Sequence, residues 1–348
     1  MPELPEVETV ARDLARLVAG QRVVSARVLR ERNIATPDAP TFISAIAGRA
    51  IRGVRRRAKW IIVDLEGEVA LLVHLRMTGQ LLVLPASAPL DPYVRAALLL
   101  DDGRELRFRD VRAFGRLALV ACDDDGIPAS SLDPSDAPLL ADHGPEPLEP
   151  SFTADVLGAL LARRPGRLKG TLLDQRCIAG LGNIYADEAL WRAHLHPLAA
   201  GAALRRDEVE RLHAAIVGVL SEAVEARGSS IDDYTGPDGD GTMQERLAVY
   251  QRQGEPCLVC GATIRRFVVG GRATHICPTC QPLPRGGRRA GGELPRGAAS
   301  GDRSDTRRGG RWSERVHHAT VGATVAERAA ARRRAVRSGG EDPVGVRR

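Results

Sequence analysis

The chain has 348 residues, of which 43% are apolar and 27% charged, and its formal net charge is +6. This composition excludes a wholly disordered chain and provides enough apolar surface for the cores of two or three domains. No apolar run approaches the roughly 20 residues that cross a bilayer, and the acidic start does not resemble a secretory signal, so we expect a soluble cytoplasmic protein.

The predicted elements begin with a helix over residues 6–18, where apolar residues recur at helical spacing. From about residue 21 to 121 the pattern changes to short strands separated by turns, which favours a β-sandwich. The predicted strands are 22–29, 52–65, 69–75, 80–84, 94–100, 105–109 and 117–121. An acidic stretch with Pro and Ser, residues 123–150, then indicates an interdomain linker.

Only helical patterns follow this stretch. We predict one helix from Ser151 or Thr153 to Arg164, a second beginning with Lys169–Leu173, and a third through His194 with Asn183 as its N-cap. A fourth helix, at about 206–226, has one apolar face. The fold class is therefore multidomain α+β. The expected divisions are an N-terminal domain at 1–135, a linker at 136–150, a helical domain at 151–247, a cysteine module at 248–282 and a disordered tail at 283–348.

The charge is concentrated in the tail. Residues 283–348 contain 16 arginines, no lysine and 7 acidic residues, a net charge of +9, so residues 1–282 carry −3 of the total of +6. Arginine without lysine suits attraction to phosphates, which weakens steeply with salt. Two hypotheses stay open for the tail: an electrostatic tether to nucleic acid, and a neutral appendage.

The first residues, Met1-Pro2-Glu3, suggest a nucleophile. Removal of Met1 would leave the secondary amine of Pro2 beside a carboxylate that can move protons, and such an amine forms an iminium with an aldehyde-like carbon. The alternative is that Pro2 and Pro5 only stiffen the start of the first helix, where proline is tolerated.

Four cysteines form a C-x2-C-x16-C-x2-C pattern, which is typical of a structural zinc site with four thiolate ligands. They are Cys257, Cys260, Cys277 and Cys280. Arginines between the two pairs, at 265, 266 and 272, could present guanidinium groups to phosphates. We therefore expect one structural Zn²⁺ per chain.

A glycine-rich turn, Ala179-Gly180-Leu181-Gly182, precedes the third predicted helix. Outward-facing backbone amides at such a helix N-terminus bind phosphate. The alternative is a packed helical hairpin without a ligand.

Three motifs together resemble the bacterial formamidopyrimidine-DNA glycosylase family: PELPEVET at the start, IAGLGNIYADE at 178–188 and CPTCQ at 277–281. The resemblance covers about residues 1–282. It implies an N-terminal β-sandwich, a helix-two-turn-helix domain and a zinc finger. It also implies a monomer that acts on double-stranded DNA with oxidised bases or abasic sites, without a membrane.

The resemblance implies a bifunctional glycosylase and abasic-site lyase that excises oxidised purines, chiefly 8-oxoguanine opposite cytosine and formamidopyrimidines. Pro2 would attack the sugar C1′ and displace the base, and elimination would then cleave the strand on both sides of the sugar. Glu3 would protonate the ring oxygen, Glu6 would be a further carboxylate near the site, and Lys59 would grip a phosphate beside the lesion.

Further roles are implied by position. Three side chains would fill the hole that the extruded nucleotide leaves: Met77, Arg112 and Phe114. Three others would contact phosphates: Lys169, Asn183 and Arg272. The lesion pocket or its support would include Tyr185, Glu188 and the loop from Tyr234 to Thr242. The sequence departs from the family pattern at Arg76, Ala113, Met243 and Gln251, which leaves the fine lesion preference open.

Two other functions compete with this interpretation. One is the related glycosylase for oxidised pyrimidines, although the residues after Pro-Glu favour the purine enzyme. The other is a non-catalytic protein that binds damaged DNA; intact Pro2, Glu3 and Lys59 count against it.

Overall fold

The first helix, α1 (Leu4–Val18), begins directly after Glu3 because the Glu6 carboxylate accepts the Glu3 backbone N–H at 2.8 Å. In the computed structural model, which describes residues 2–123, 125–132, 139–229 and 241–283, this helix buries a stripe of leucine and valine. Val7, Val10, Leu14 and Val18 face the sandwich core, whereas Leu4 packs into the core of the helical domain. The helix therefore joins two domains.

Nine strands and a second helix follow α1 in the described part of the N-terminal domain. They are β1 (Val23–Val28), β2 (Ile34–Thr36), α2 (Ala39–Ile46), β3 (Ile51–Arg57), β4 (Trp60–Leu65), β5 (Val69–His74), β6 (Gly79–Pro85), β7 (Val94–Leu100), β8 (Arg104–Asp110) and β9 (Arg116–Ala121). One sheet has the order β1-β7-β8-β6 and the other β2-β9-β5-β4-β3. Apolar residues of both sheets share one core, which confirms the predicted β-sandwich.

Three details of this domain differ from the prediction, and one of them is the short strand β2, which was not predicted. Residues 52–65 form not one strand but the hairpin of β3 and β4, with a tight turn at Ala58 and Lys59 between the paired Arg57 and Trp60. Ala58 adopts φ 53°, a conformation that the strand-like composition does not reveal. Helix α2 was also missed; it starts at the Asp38 N-cap and buries Phe42 and Ile46.

The helical domain contains α3 (Ala154–Ala162), α4 (Leu168–Leu172), α5 (Asn183–Arg192) and α6 (Arg206–Glu225). Thr153, one of the two predicted N-caps, caps α3 by accepting the Val156 N–H. The N-cap of α5 is Gly182 rather than Asn183. Asn183 is instead the first helical residue, and its side-chain amide donates to the backbone carbonyl of Ala273.

The cysteine module has one hairpin, β10 (Arg265–Val269) and β11 (Arg272–Ile276), with Arg265 opposite Ile276. Within the described ranges, no helix is both long and apolar enough to cross a membrane. The predicted disordered tail lies outside the described residues apart from Leu283.

Candidate active site and DNA-contact surface

The carboxylate of Glu3 lies against the N-terminus of α5. Its Oε1 accepts the backbone N–H of Ile184 at 2.9 Å, and its Oε2 accepts that of Tyr185 at 3.4 Å. The first amides of a helix have no partner within the helix, and the positive end of the helix dipole favours a negative charge. The helix N-terminus that we expected to bind phosphate is therefore occupied by a carboxylate of the same chain.

The glycines of the turn before α5 make this contact possible. A Cβ on Gly182 would lie 2.2 Å from Cδ of Glu3, and a Cβ on Gly180 would lie 2.7 Å from Cβ of Leu4. Gly180 also has φ +79°, a conformation that side chains disfavour. The motif thus allows the start of α1 to lie directly on the backbone of the turn.

Glu6 connects three elements. Its Oε2 accepts the Glu3 N–H, while its Oε1 accepts the Tyr185 hydroxyl at 2.5 Å and the Ser229 N–H at 2.8 Å. Gly228, which precedes Ser229, approaches so closely that a Cβ there would lie 2.8 Å from Cγ of Glu6. The carboxylate therefore ties α1 to α5 and to the segment that follows α6.

Lys59 and Glu3 have shifted proton affinities. Burial raises the pKa of Glu3 to about 7, with Lys59 opposing the rise and Glu6 adding to it. Burial lowers the pKa of the Lys59 ammonium, which Glu3 and Glu6 oppose and Arg272 reinforces. These mutual effects show that Lys59, both carboxylates and Arg272 lie close enough to influence one another's charge. A carboxyl group with a pKa near 7 can hold a proton and release it at neutral pH.

A second cluster lies on the surface of the sandwich, where Met77 and Phe114 expose 38% and 45% of their area. Arg112 joins them, because its Nη1 lies 3.2 Å from the Met77 sulfur and its Cζ lies 5.2 Å from the Phe114 ring centroid. Exposed apolar side chains beside a guanidinium suit insertion between bases. We call Met77, Arg112 and Phe114 the wedge residues.

Asp110 organises the two loops that carry the wedge residues. This fully buried carboxylate accepts the Thr78 hydroxyl with one oxygen and the Gly115 N–H, at 2.7 Å, with the other. The Thr78 hydroxyl oxygen in turn accepts the Arg112 N–H at 3.1 Å. The loops at 75–79 and 110–115 are therefore held in register by a side chain that never reaches the surface.

The four cysteine sulfurs of the C-terminal module lie within 4.8 Å of one another. Sulfur pairs across the cluster are 3.4 to 3.9 Å apart, close to the edge of about 3.8 Å expected for a tetrahedron with Zn–S bonds of about 2.3 Å. The donor set and the spacing fit one structural Zn²⁺, with no position left open for water.

The β10–β11 hairpin is fixed to the helical domain by buried polar groups. The Lys169 ammonium is fully buried; it lies 2.6 Å from an oxygen of Asp187 and donates to the Ala273 carbonyl at 2.9 Å. The Asn183 amide donates to the same carbonyl at 3.0 Å, and Asp187 accepts the His275 N–H at 2.9 Å. These contacts fix the strand that begins with Arg272.

Comparisons with known proteins agree with this architecture. Residues 1–117 match the formamidopyrimidine-DNA glycosylase N-terminal domain, residues 143–235 match the H2TH domain of that enzyme, and residues 254–283 match a zinc finger found in FPG and IleRS. A formamidopyrimidine-DNA glycosylase of Chloroflexus aurantiacus is 48% identical over 282 residues, which is 81% of this chain and 98% of the relative. The chain belongs to the formamidopyrimidine-DNA glycosylase family.

Solved structures of the formamidopyrimidine-DNA glycosylase family have the same fold. A Lactococcus lactis FPG mutant in complex with DNA containing Fapy-dG has a TM-score of 0.73 and 34% identity, and covers 81% of this chain and 100% of its own. The FPG protein of Thermus thermophilus has a TM-score of 0.70 and 43% identity, over 80% of this chain and 98% of its own. The predicted family, fold class and zinc cofactor are thereby confirmed.

The structure brings together most residues that the family resemblance singled out. Glu3 and Glu6 bind the start of α5, Lys59 and Arg272 lie within electrostatic reach of them, and the wedge residues form one surface cluster. Their individual roles stay predictions. Pro2 is buried directly before Glu3.

The structure gives the surroundings of four other predicted site residues, whose roles stay predictions. Lys169 is buried under the hairpin, and Asn183 donates to the hairpin backbone, so both position the zinc finger in this structure. Glu188 accepts the N–H groups of residues 248, 249 and 250 and thereby supports the entry to the zinc finger. Thr242 is exposed where the chain returns to α6, and Tyr234 lies outside the described residues.

Sequence reasoning missed several residues on which the site depends. Gly228, Ser229, Asp110 and Asp187 hold the functional side chains without being recognisable as functional. Asp187 lies inside the motif that carried the resemblance, which was the one available signal. The others follow from contacts between residues distant in sequence.

Proposed function

We propose that this chain is a base-excision-repair enzyme, a DNA glycosylase with abasic-site lyase activity that removes oxidised purines from double-stranded DNA. The observation that carries the proposal is the environment of Glu3: a buried carboxyl group with a pKa of about 7, directly after Pro2 and beside Lys59. Such a site can supply a proton next to a nucleophilic amine.

Base removal would begin with nucleotide extrusion, which costs a few kcal/mol and is easier for damaged bases. The Pro2 amine attacks C1′ as the bond from C1′ to the base breaks. Glu3 protonates the ring oxygen, so the sugar opens and the iminium to Pro2 forms. The Lys59 ammonium holds a phosphate of the damaged strand, which fixes C1′ against the amine.

Strand cleavage would follow from the iminium. Loss of a proton from C2′ allows elimination of the 3′ phosphate, and a second elimination releases the 5′ phosphate. Glu3, ionised after its first proton transfer, is the base nearest to Pro2 in sequence. Glu6 keeps Glu3 in place by accepting its backbone N–H.

The substrate class rests on the relatives. A Lactococcus lactis FPG mutant was solved with Fapy-dG DNA, and another neighbour is a complex with DNA that contains carbocyclic 8-oxo-G. We therefore propose 8-oxoguanine opposite cytosine and formamidopyrimidines as substrates. Action on chromosomal DNA of a bacterium would place the enzyme in the cytoplasm.

Borohydride trapping tests the proposal. The enzyme is mixed with a duplex that contains 8-oxoguanine opposite cytosine, and the covalent adduct is compared between the wild type and Pro2→Gly. We expect a strong adduct with the wild type and a greatly reduced or relocated adduct with the variant, because the secondary amine is lost.

Pro5→Gly is the matched control, since Pro5 lies in the first turn of α1 and has no proposed chemical role. It should form the adduct as the wild type does. A wild type with confirmed removal of Met1 and tight binding to this duplex, yet without any adduct, would contradict the proposal. Faster excision of thymine glycol than of 8-oxoguanine would contradict the purine assignment.

A further inference from the structure

Exposed arginines on and beside the wedge loops have no acidic partner among the residues that the structure describes. Arg30, Arg32, Arg76 and Arg112 are exposed, and within the described residues none of them forms an ion pair. On α6, by contrast, exposed arginines are paired with acids of the same helix, as Arg211 is with Asp207 at 2.7 Å. In the described ranges, unpaired guanidinium groups are therefore available to bind an anion on the same surface that exposes Met77 and Phe114.

Arg32 is tied to the wedge itself. Its Nη2 donates to the carbonyl oxygen of Ala113 at 3.1 Å, and the neighbouring Asn33 amide donates to the carbonyl of Gly115 at 2.8 Å. Ala113 lies between Arg112 and Phe114, is 2% exposed and adopts φ 54°. A non-glycine residue in this conformation is strained, so the two hydrogen bonds stabilise the loop shape that presents its neighbours.

The same hydrogen bond orients Arg32. A guanidinium has five N–H donors in a fixed plane, and the Ala113 carbonyl uses one of them. The remaining donors belong to an exposed side chain that has no acidic partner in the described part of the chain. A guanidinium whose position is already fixed loses less conformational entropy when it binds an anion, and its planar fork matches a phosphate.

Insertion of the wedge residues into DNA would bring a backbone phosphate close to Arg32. Side chains that fill a hole in the base stack carry their loops against the sugar-phosphate backbone that borders the groove. We propose that Arg32 binds a DNA backbone phosphate beside the wedge while it holds Ala113, and is thus a DNA-contact and positioning residue of this chain. The inference rests on the proposed function, since it assumes that the wedge enters DNA.

The test separates charge from loop support. Binding to a duplex with a tetrahydrofuran abasic analogue opposite cytosine is measured between 50 and 200 mM KCl for the wild type, Arg32→Gln, Arg32→Lys and Arg211→Gln. Glutamine keeps an N–H donor for the Ala113 carbonyl but removes the charge. Arg211→Gln removes a paired, distant charge and is the control.

We expect Arg32→Gln to weaken binding about fivefold or more and to reduce the slope of log K against log salt by about 0.9, the value for one phosphate contact. Arg32→Lys should keep the slope, and Arg211→Gln should match the wild type. A wild-type slope in Arg32→Gln would overturn the phosphate contact. If Arg32→Gln and Arg32→Lys lose the same amount of DNA affinity and neither changes the salt slope, Arg32 only supports the loop.

Single neutral methylphosphonate linkages, placed in either strand near the lesion, identify the phosphate. When the neutral linkage replaces the phosphate that Arg32 contacts, the wild type and Arg32→Gln should bind the duplex with equal affinity. If the wild type binds more tightly than Arg32→Gln at every position of the linkage, the proposal is overturned. The binding test needs no catalysis. A wild type that forms no borohydride adduct but shows the expected slopes therefore contradicts the proposed function alone.

Discussion

Glu3 illustrates how much of one residue's chemistry depends on its surroundings. The sequence places this carboxyl group beside Pro2, but its proton affinity follows from burial, which raises the pKa to about 7 against the opposing charge of Lys59. Hydrogen bonds from Ile184 and Tyr185 act in the same direction as Lys59. An exposed glutamate at this position would be fully ionised at neutral pH and could not act as an acid.

The raised pKa predicts how stability depends on pH. The unfolded chain ionises Glu3 near pH 4.5, whereas the native protein keeps the proton until about pH 7. Native stability is therefore lost as the pH rises through this window. Glu3→Gln cannot ionise, so its free energy of unfolding relative to the wild type should increase by about 3 kcal/mol between pH 4.5 and pH 8.

Urea unfolding at both pH values measures this difference. Glu210→Gln, on the exposed surface of α6, is the control for the loss of one carboxylate. A constant difference between Glu3→Gln and the wild type across the window would mean that Glu3 is ionised throughout and cannot be the proposed acid.

At the scale of elements, the N-terminus of α5 and the start of α1 act as one unit. The helix supplies two amides to Glu3, the Tyr185 hydroxyl to Glu6, and a glycine surface against which Glu3 fits. The phosphate-binding interpretation was reasonable for a glycine turn before a helix. In this structure the two amides are used by Glu3, a carboxylate 181 residues away in sequence, and a phosphate contact at this helix end stays a prediction.

Gly182→Ala tests this unit. The added Cβ would lie 2.2 Å from Cδ of Glu3, so the carboxylate must move. We expect base excision to slow by about 100-fold, since misplacement of a catalytic group by about 1 Å has this effect. The single-turnover rate of 8-oxoguanine excision is the measurement.

Gly218→Ala is the matched control, because a Cβ at this position in α6 meets nothing within 4 Å. It should leave the rate unchanged and stabilise the helix by about 0.5–1 kcal/mol. A Gly182→Ala variant as fast as Gly218→Ala would contradict the role assigned to the glycine turn.

For the molecule as a whole, the zinc finger matters because of what it attaches to. Its hairpin is bound to α4 and α5 through Lys169, Asn183 and Asp187, and it carries Arg272 toward Lys59. The cysteine cluster itself packs against the helical domain through Trp191. Zinc in the cysteine cluster would thus stabilise the module whose hairpin holds Arg272 within electrostatic reach of Lys59.

Cys260→Ala is expected to lower the zinc content below one ion per chain. It should also weaken binding to lesion-containing DNA by at least tenfold, because the hairpin loses the fold that orients Arg272. Metal analysis and binding to the tetrahydrofuran duplex measure both effects. Cys122→Ala, which removes a cysteine of the sandwich, should retain one zinc ion. Unchanged DNA affinity in zinc-depleted Cys260→Ala would show that DNA binding does not require the β10–β11 hairpin to orient Arg272.

The sequence by itself determined the chemical groups of this protein and most of its elements. Local periodicity gave β7 at its observed bounds, and the cysteine spacing gave the zinc site, because both depend on residues close together in the chain. The motifs gave the family. The predicted domain limits of 1–135, 151–247 and 248–282 stay predictions.

Only the tertiary structure decided what those groups do to one another. The pKa of Glu3, the occupation of the α5 N-terminus, the burial of Lys169 and the hydrogen bond from Arg32 to Ala113 all arise between segments far apart in sequence. Burial and hydrogen-bond partners set the energy of a charge, and neither can be read from its sequence neighbours. The fold therefore turns a recognisable set of residues into a site with defined proton affinities and contacts.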